Sequence, residues 1–243
     1  MPKDYSAFKQ FTIYQPFDDV MKVSTDSVLL GCFADVEKLE NGKALDIGCG
    51  TGLLSLMLAQ KNPSLEFILI DINPNACKNA EYNIYNSPFK NSFSVILTSL
   101  KNFLEKTKDT FDVIICNPPY FSNSLKSSSF TKNLYRHQEE LSYEDLIYGV
   151  KKLLKEQGSF YVCIPFNEYN AFIEKCREQN MFIHRMMMVF SSSTKSQPYL
   201  FLLDIRKEKV NEEEVTSLTI QDKNGQFTED YLNFTHSFYI FAK

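Results

Sequence analysis

Residues 45–52 read Leu45-Asp46-Ile47-Gly48-Cys49-Gly50-Thr51-Gly52. The apolar run 44–47 before the glycines has the character of a short buried strand, and the apolar stretch 53–60 after them that of a helix. Gly48 and Gly50 lack a Cβ, so the backbone there can turn sharply and approach a ligand closely. The helix that follows offers unpaired N–H groups and the positive end of its dipole. A second apolar run, 67–70, ends at Asp71, 25 residues after Asp46. In open α/β sheets ligands bind beyond the carboxyl ends of the strands, and an acidic residue at this point accepts hydrogen bonds from ribose hydroxyls. A glycine loop alone could be no more than a tight strand-to-helix turn. Asp71 at this spacing favours a nucleoside-binding crevice.

Outward from this stretch, short apolar runs alternate with helical periodicity. Further strands are expected at 94–97, 112–116 and 160–164, with 186–190 and 199–205 as a closing pair. Helices are expected at 74–85, where Pro74 takes the first turn, and after Ser142, which with Asp145 resembles a capping box. Leu146, Ile147, Val150, Leu153 and Leu154 form one apolar helical face, with Gly158 expected to stop that helix, and 170–179 reads as another helix. Continuously apolar strands such as Val113-Ile114-Ile115 belong to a sheet covered on both faces. The expected class is α/β: a Rossmann-like, mostly parallel sheet with helices on both faces. One domain is expected over 1–243, with a lead-in at 1–42, a catalytic core at 43–206 and an appendage at 207–243.

The composition is that of an ordinary globular protein, 44% hydrophobic and 23% charged over 243 residues. A net charge of −4 excludes a globally basic nucleic-acid coat but not a local basic patch. The six cysteines form no C-x-x-C pair and no zinc spacing with histidine, so they read as buried reduced thiols with no metal. The first 17 residues lack the apolar core of a secretory signal, and no apolar run is long enough to span a bilayer. A cytoplasmic monomer that binds neither metal nor membrane is expected.

Two further features carry chemistry. The spacing G-x-G-x-G departs from the dinucleotide pattern G-x-G-x-x-G, and a carboxylate before the glycines would repel a pyrophosphate but stabilise an ammonium. S-adenosylmethionine has an α-amino group and no phosphate, so charge favours it over a nicotinamide dinucleotide. The strand 112–116 is followed by Asn117-Pro118-Pro119-Tyr120. A proline turn after a strand explains the prolines but not Asn117 and Tyr120. An exocyclic or amide nitrogen is a poor nucleophile because its lone pair is delocalised. The Asn117 side-chain oxygen and the Pro118 carbonyl are acceptors that could draw on its hydrogens, and Tyr120 offers a flat face for a planar target. No covalent nucleophile is required, and Cys116 reads as structural.

The glycine motif with Asp71 resembles the class I S-adenosylmethionine-dependent methyltransferases. That resemblance implies a seven-stranded sheet with the last strand antiparallel. It also implies that Asp46, Gly48, Gly50 and Gly52 line the methionine part of the cofactor and that Asp71 holds its ribose. Ser99 of the Thr98-Ser99 pair stands where such enzymes often place an acid near the adenine. The tetrapeptide resembles that of enzymes methylating adenine N6, cytosine N4, guanine N2 or glutamine N5, and in them the Asn117 position adjoins the cofactor.

Residues 21–31, Met-Lys-Val-Ser-Thr-Asp-Ser-Val-Leu-Leu-Gly, resemble the segment before the glycine loop in bacterial tRNA adenine-N6 methyltransferases of the valine-tRNA position-37 type. The match lies in Thr25-Asp26 and Leu29-Leu30-Gly31, while Gly is common there in place of Ser24 and Ser27. By resemblance Thr25 and Asp26 close over the cofactor; otherwise the segment is an amphipathic cover for the sheet. Residues 121–137 carry Lys126, Lys132 and Arg136 with no acid, interleaved with Phe121, Phe130 and Tyr135. Such a segment suits a flipped base and its phosphates, although a solvated surface would look similar. Replacing the three basic residues with Ala is expected to weaken tRNA binding and flatten its salt dependence. Arg136-His137 also fits the tRNA family, and His137 receives no base role. About 42 residues before the first strand are too few for the helical domain of a release-factor glutamine methyltransferase, and 207–243 is too short for a DNA target-recognition domain. The expected activity is N6-methylation of adenosine 37 in a valine tRNA. Alternatives are another nitrogen target, in ribosomal RNA or a protein glutamine, or an inactive RNA-binding subunit of the same fold.

Overall fold

Alternate residues of the strand Phe111–Cys116 face opposite sides of the sheet, and each side has its own core. Val113 and Ile115 pack with Ala44, Leu69, Tyr161 and Cys163, whereas Ile114 and Cys116 pack with Leu45, Ile70, Phe160 and Val162. The computed structural model describes residues 4–119 and 141–240. In chain order the elements are β1 (Tyr5–Ala7), β2 (Thr12–Tyr14), α1 (Thr25–Phe33), β3 (Lys43–Ile47), α2 (Leu53–Lys61), β4 (Glu66–Asp71), α3 (Pro74–Tyr85), β5 (Ser92–Leu97), α4 (Leu100–Lys106), β6 (Phe111–Cys116), α5 (Tyr143–Leu153), β7 (Leu154–Pro165), α6 (Tyr169–Glu178), β8 (Phe182–Ser192), β9 (Leu200–Arg206), β10 (Glu214–Gln221) and α7 (Glu229–Thr235). Buried residues of α1, α2, α3 and α7 cover one face of the large sheet, and those of α4, α5 and α6 cover the other.

The sheet runs β10-β8-β9-β7-β6-β3-β4-β5, and only β9 is antiparallel to its neighbours. The expected Rossmann-like architecture is therefore present, with one strand more than the seven expected. The appendage supplies it: β10 pairs in parallel with β8 at the sheet edge, and α7 follows. The antiparallel strand is β9, so the chain's last strand is parallel. The strand order reverses between β3 and β6, the switch point at which such sheets leave a crevice at their carboxyl edge.

Helix α5 begins as expected, with Ser142 capping the Asp145 N–H, but it ends at Leu153 rather than at Gly158. Gly158 lies inside β7, where pairing with β6 jumps from Phe111↔Leu154 to Val113↔Ser159. A Cβ there would meet the Asp112 carbonyl oxygen at 3.0 Å and Leu154 Cδ1 at 2.8 Å, so the glycine marks a close strand approach, not a helix stop.

The lead-in is ordered by side chains that reach far along the sequence. The fully buried Asn83 of α3 accepts from Tyr14 N (2.8 Å) and donates to the carbonyls of Tyr14 and Thr51 (2.9 Å each). One amide thus ties the β1–β2 hairpin, α3 and the glycine loop together. Gln15 Oε1 accepts from Val23 N (2.9 Å), and Asp19 takes hydrogen bonds from the Asn73 and Asn75 amides (3.1 Å each). Residues 15–27 therefore run across the carboxyl edge of the sheet, from the end of β4 to the end of β6. Among the described residues no helix is long and apolar enough to cross a membrane.

Candidate active site

Gly48, Gly50 and Gly52 all have positive φ, at 71°, 53° and 78°. Among the described residues, a Cβ added to Gly48 or Gly50 would meet nothing within 4 Å, whereas one on Gly52 would lie 3.3 Å from Ala80 Cα in α3. The first two glycines therefore border open space, and the third allows helix–loop packing. The loop is seated on the end of β4: Gly48 N and Cys49 N both donate to the Ile70 carbonyl (2.9 and 3.1 Å). Gly50 N donates to Asp71 Oδ2 (2.9 Å), and Asn73 N donates to Asp71 Oδ1 (2.8 Å). Each Asp71 oxygen is thus oriented by one backbone N–H and retains acceptor capacity. Burial raises the Asp71 pKa, and these N–H groups oppose the shift.

Asp46 sits beneath this loop, only 1% exposed. Its Oδ2 accepts from Ser55 Oγ (2.8 Å), while Oδ1 is buried with no partner among the described residues. Burial, with a smaller contribution from the Asp71 charge, pushes its pKa up to about 7; the Ser55 hydrogen bond pulls the other way. A carboxyl with an orphaned oxygen, beside a second carboxylate and under an open glycine cradle, suits a cationic nucleoside derivative. S-adenosylmethionine, with ribose hydroxyls and an ammonium, matches this donor and acceptor set. Ser99 caps α4, accepting from Asn102 N (3.2 Å), at the carboxyl end of β5.

Across the switch point, Asn117 is half-buried and Pro118 buried immediately after β6. The Asn117 amide is held on both sides. Its Nδ2 donates to Ser27 Oγ (2.7 Å) and lies 3.7 Å from Met21 Sδ, and its Oδ1 accepts from Cys163 Sγ (3.0 Å). Ser27 is on α1, whose first turn also presents an exposed Thr25 and a half-buried Asp26. Asp26 Oδ1 accepts from the Tyr199 hydroxyl (3.0 Å), which pins α1 to the segment leading into β9. Cys116 is fully buried, and burial holds its thiol well above the usual range, as expected of a structural cysteine.

The fold thus brings Asp46, Gly48, Gly50, Asp71, Asn117 and the α1 start to one edge of the sheet. It turns Gly52 toward α3 and engages Asp26 with Tyr199. Tyr120, Phe121, Lys126, Lys132, Arg136 and His137 lie outside the described residues. Ser27 and Cys163 are additions that the sequence reading missed. The parallel register Cys116↔Val162 is the signal for Cys163, since the next pair along is Asn117 and Cys163. Among the described residues no group of His, Cys, Asp and Glu is placed to hold a metal.

The model of the methyltransferase small domain matches residues 24–181. Over 240 residues the chain is 35% identical to the tRNA1(Val) (adenine(37)-N6)-methyltransferase of Parabacteroides distasonis, covering 99% of both chains. The chain belongs to the tRNA1(Val) (adenine(37)-N6)-methyltransferase family. A member from Phocaeicola vulgatus shows the same identity and coverage. The fold also matches the crystal structure of a predicted O-methyltransferase from Agrobacterium tumefaciens, with a TM-score of 0.66 at 14% identity over 88% of this chain and 96% of that one. At that identity the likeness speaks for the fold alone.

Proposed function

We propose that this protein transfers a methyl group from S-adenosylmethionine to N6 of an adenosine in tRNA, at position 37 of a valine tRNA. The observation that carries the chemistry is the oriented neutral amide of Asn117 at the switch point, across the crevice from the glycine cradle. Membership of the tRNA methyltransferase family along 99% of the chain supports the choice of substrate.

Asp71 holds the ribose hydroxyls through the acceptor capacity left on both oxygens. Gly48 and Gly50 leave room for the methionine part, and the Asp46 carboxylate below them favours its ammonium. Ser99 and the α1 start, Thr25 and Asp26, border the same crevice. Bound there, the cofactor supplies an electrophilic methyl carbon on a sulfonium. Asn117 Oδ1 and the Pro118 carbonyl accept the hydrogens of the adenine amine, so its lone pair is freed toward the methyl carbon. The transfer would be a direct displacement in which the N–C bond replaces the S–C bond, the sulfonium would leave as a neutral thioether, and the amine nitrogen would give up one proton to solvent. Much of the acceleration comes from alignment, because direct displacement needs donor and acceptor in line. Tyr120 would stack on the base, and Phe121, Lys126, Lys132 and Arg136 would meet the RNA. Six cysteines held as thiols rather than disulfides suit a cytoplasmic setting, and nothing in this mechanism needs a second copy of the chain.

The test is methylation of unmodified tRNA transcripts with radiolabelled cofactor, followed by nucleoside mass spectrometry. N6-methyladenosine at position 37 of the valine transcript, lost when that base is guanosine, is the expected result. Label at another position, or only in protein, overturns the proposal.

A further inference from the structure

Every hydrogen-bonding direction of the Asn117 amide except one is already occupied by the protein. An amide nitrogen has two donors and an amide oxygen two acceptor positions. Nδ2 has Ser27 Oγ at 2.7 Å and Met21 Sδ at 3.7 Å, and Oδ1 has the Cys163 thiol at 3.0 Å. Among the described residues, one acceptor position on Oδ1 is left without a partner. Ser27 Oγ is itself 3.0 Å from Ser24 Oγ. Ser24 caps α1 by accepting from Ser27 N at 3.2 Å. With the Ser27 proton given to Ser24, the Ser27 lone pairs face Asn117, which favours the amide nitrogen on that side. The relay runs from Asn117 through Ser27 to the helix cap. Ser27 and Cys163 are buried, so water does not compete strongly at either contact.

We infer that Ser27 and Cys163 are positioning residues that fix the flip state of the Asn117 amide, so that its oxygen meets the target nitrogen with one free acceptor position. The segment 21–27 thereby acts on the acceptor side of the reaction in addition to covering the crevice. A free amide would populate two orientations, and the flipped one presents N–H groups to an amine that needs acceptors. This inference rests on the proposed N6-methylation, and its test has one arm that needs no RNA.

Ser27→Ala removes the hydroxyl but keeps the backbone N–H that Ser24 caps, and Cys163→Ala removes the thiol while Cys163→Ser keeps a donor. In steady-state assays on the valine tRNA transcript, Ser27→Ala and Cys163→Ala are each expected to lower kcat about tenfold, the scale of one well-formed hydrogen bond. KM for tRNA and the cofactor dissociation constant should stay within about twofold, and Cys163→Ser should recover most of the lost kcat. In the RNA-free arm, the Asn117 side-chain NH2 of the nitrogen-15-labelled protein is expected to exchange slowly with solvent. That protection should fall about tenfold in Ser27→Ala. Unchanged kcat in both alanine variants, Cys163→Ser as slow as Cys163→Ala, or amide exchange indifferent to Ser27 overturns the inference. A wild-type protein inactive on tRNA overturns the proposed function instead and leaves the exchange measurement to decide the clamp.

Discussion

The two walls of the crevice are built from opposite materials. On the β4 side, two buried carboxylates lie together, the Asp71 charge adds to the proton affinity of Asp46, and backbone N–H groups aim Asp71. On the β6–β7 side, the central group is a neutral amide held by a hydroxyl and a thiol. A cationic, hydroxyl-rich ligand calls for the first wall. Withdrawing density from an uncharged amine calls for acceptors that do not themselves carry a proton at neutral pH, which is the second. The division predicts that changes on the amide wall act on turnover, whereas changes on the carboxylate wall act on cofactor affinity.

The sharpest way to break the comparison is Asn117→Ala. Removing one preorganised polar group aimed at a transition state typically lowers kcat by about 100- to 1000-fold, and a loss in that range is expected here. The cofactor dissociation constant, measured by calorimetry with S-adenosylhomocysteine, should move less than about fivefold, because single side-chain hydrogen bonds contribute only about 1 kcal/mol. A large loss of affinity instead would place Asn117 on the cofactor wall. Next comes Gly50→Val. At φ 53° a β-branched residue is strained, and its side chain would enter the open space above the loop. Cofactor affinity should fall by about 100-fold, the sum of strain and exclusion at roughly 1–3 kcal/mol for the backbone alone. Asp71→Asn keeps the shape of the carboxylate but removes its charge and one acceptor oxygen. Charge-assisted hydrogen bonds contribute about 1.5–3 kcal/mol, so a loss of affinity of roughly 10- to 100-fold is expected, with kcat at saturating cofactor nearly preserved.

The same division explains what could be read from the sequence. The carboxylate wall is local in the chain: Asp46, the glycines and Asp71 fall within two strand ends, and strand period and glycine spacing locate them. Most core strands and helices were legible for the same reason, with α3 expected and found at 74–85. The amide wall was legible only in its centre. Ser27 and Cys163 reach Asn117 across 90 and 46 residues of chain, and no periodicity reports such a contact. Helix α4 was missed because its seven residues bury only Leu100 and Phe103, too short a pattern to register. Strand β10 was missed because four of its eight residues are exposed, as an edge strand permits, so its apolar signal is weak. Gly158 was misassigned because a glycine after a helical pattern looks the same whether it stops a helix or admits a neighbouring strand.

The smallest effect lies on Asp46, and its sign follows from burial. Its folded-state pKa of about 7 stands above the usual 3.8. Between roughly pH 4 and 7 the folded protein keeps a proton that the unfolded chain has released. The ligand-free protein should therefore lose stability as pH rises through that window and level off above it. A ligand ammonium reverses the preference, because it favours the ionised carboxylate. Binding at pH 6 must then expel a proton that is already absent at pH 8, and one group titrating at about 7 makes affinity about tenfold weaker at pH 6. Calorimetry with S-adenosylhomocysteine in buffers of different ionisation enthalpy would show proton release at pH 6 and little at pH 8. Asp46→Asn should abolish both the release and the pH slope of affinity, and should make the ligand-free protein's fall in melting temperature between pH 5 and 8 shallower than in the wild type. Wild-type affinity that is flat across this range would mean that Asp46 serves the loop through Ser55 alone, and the carboxylate wall would reduce to Asp71.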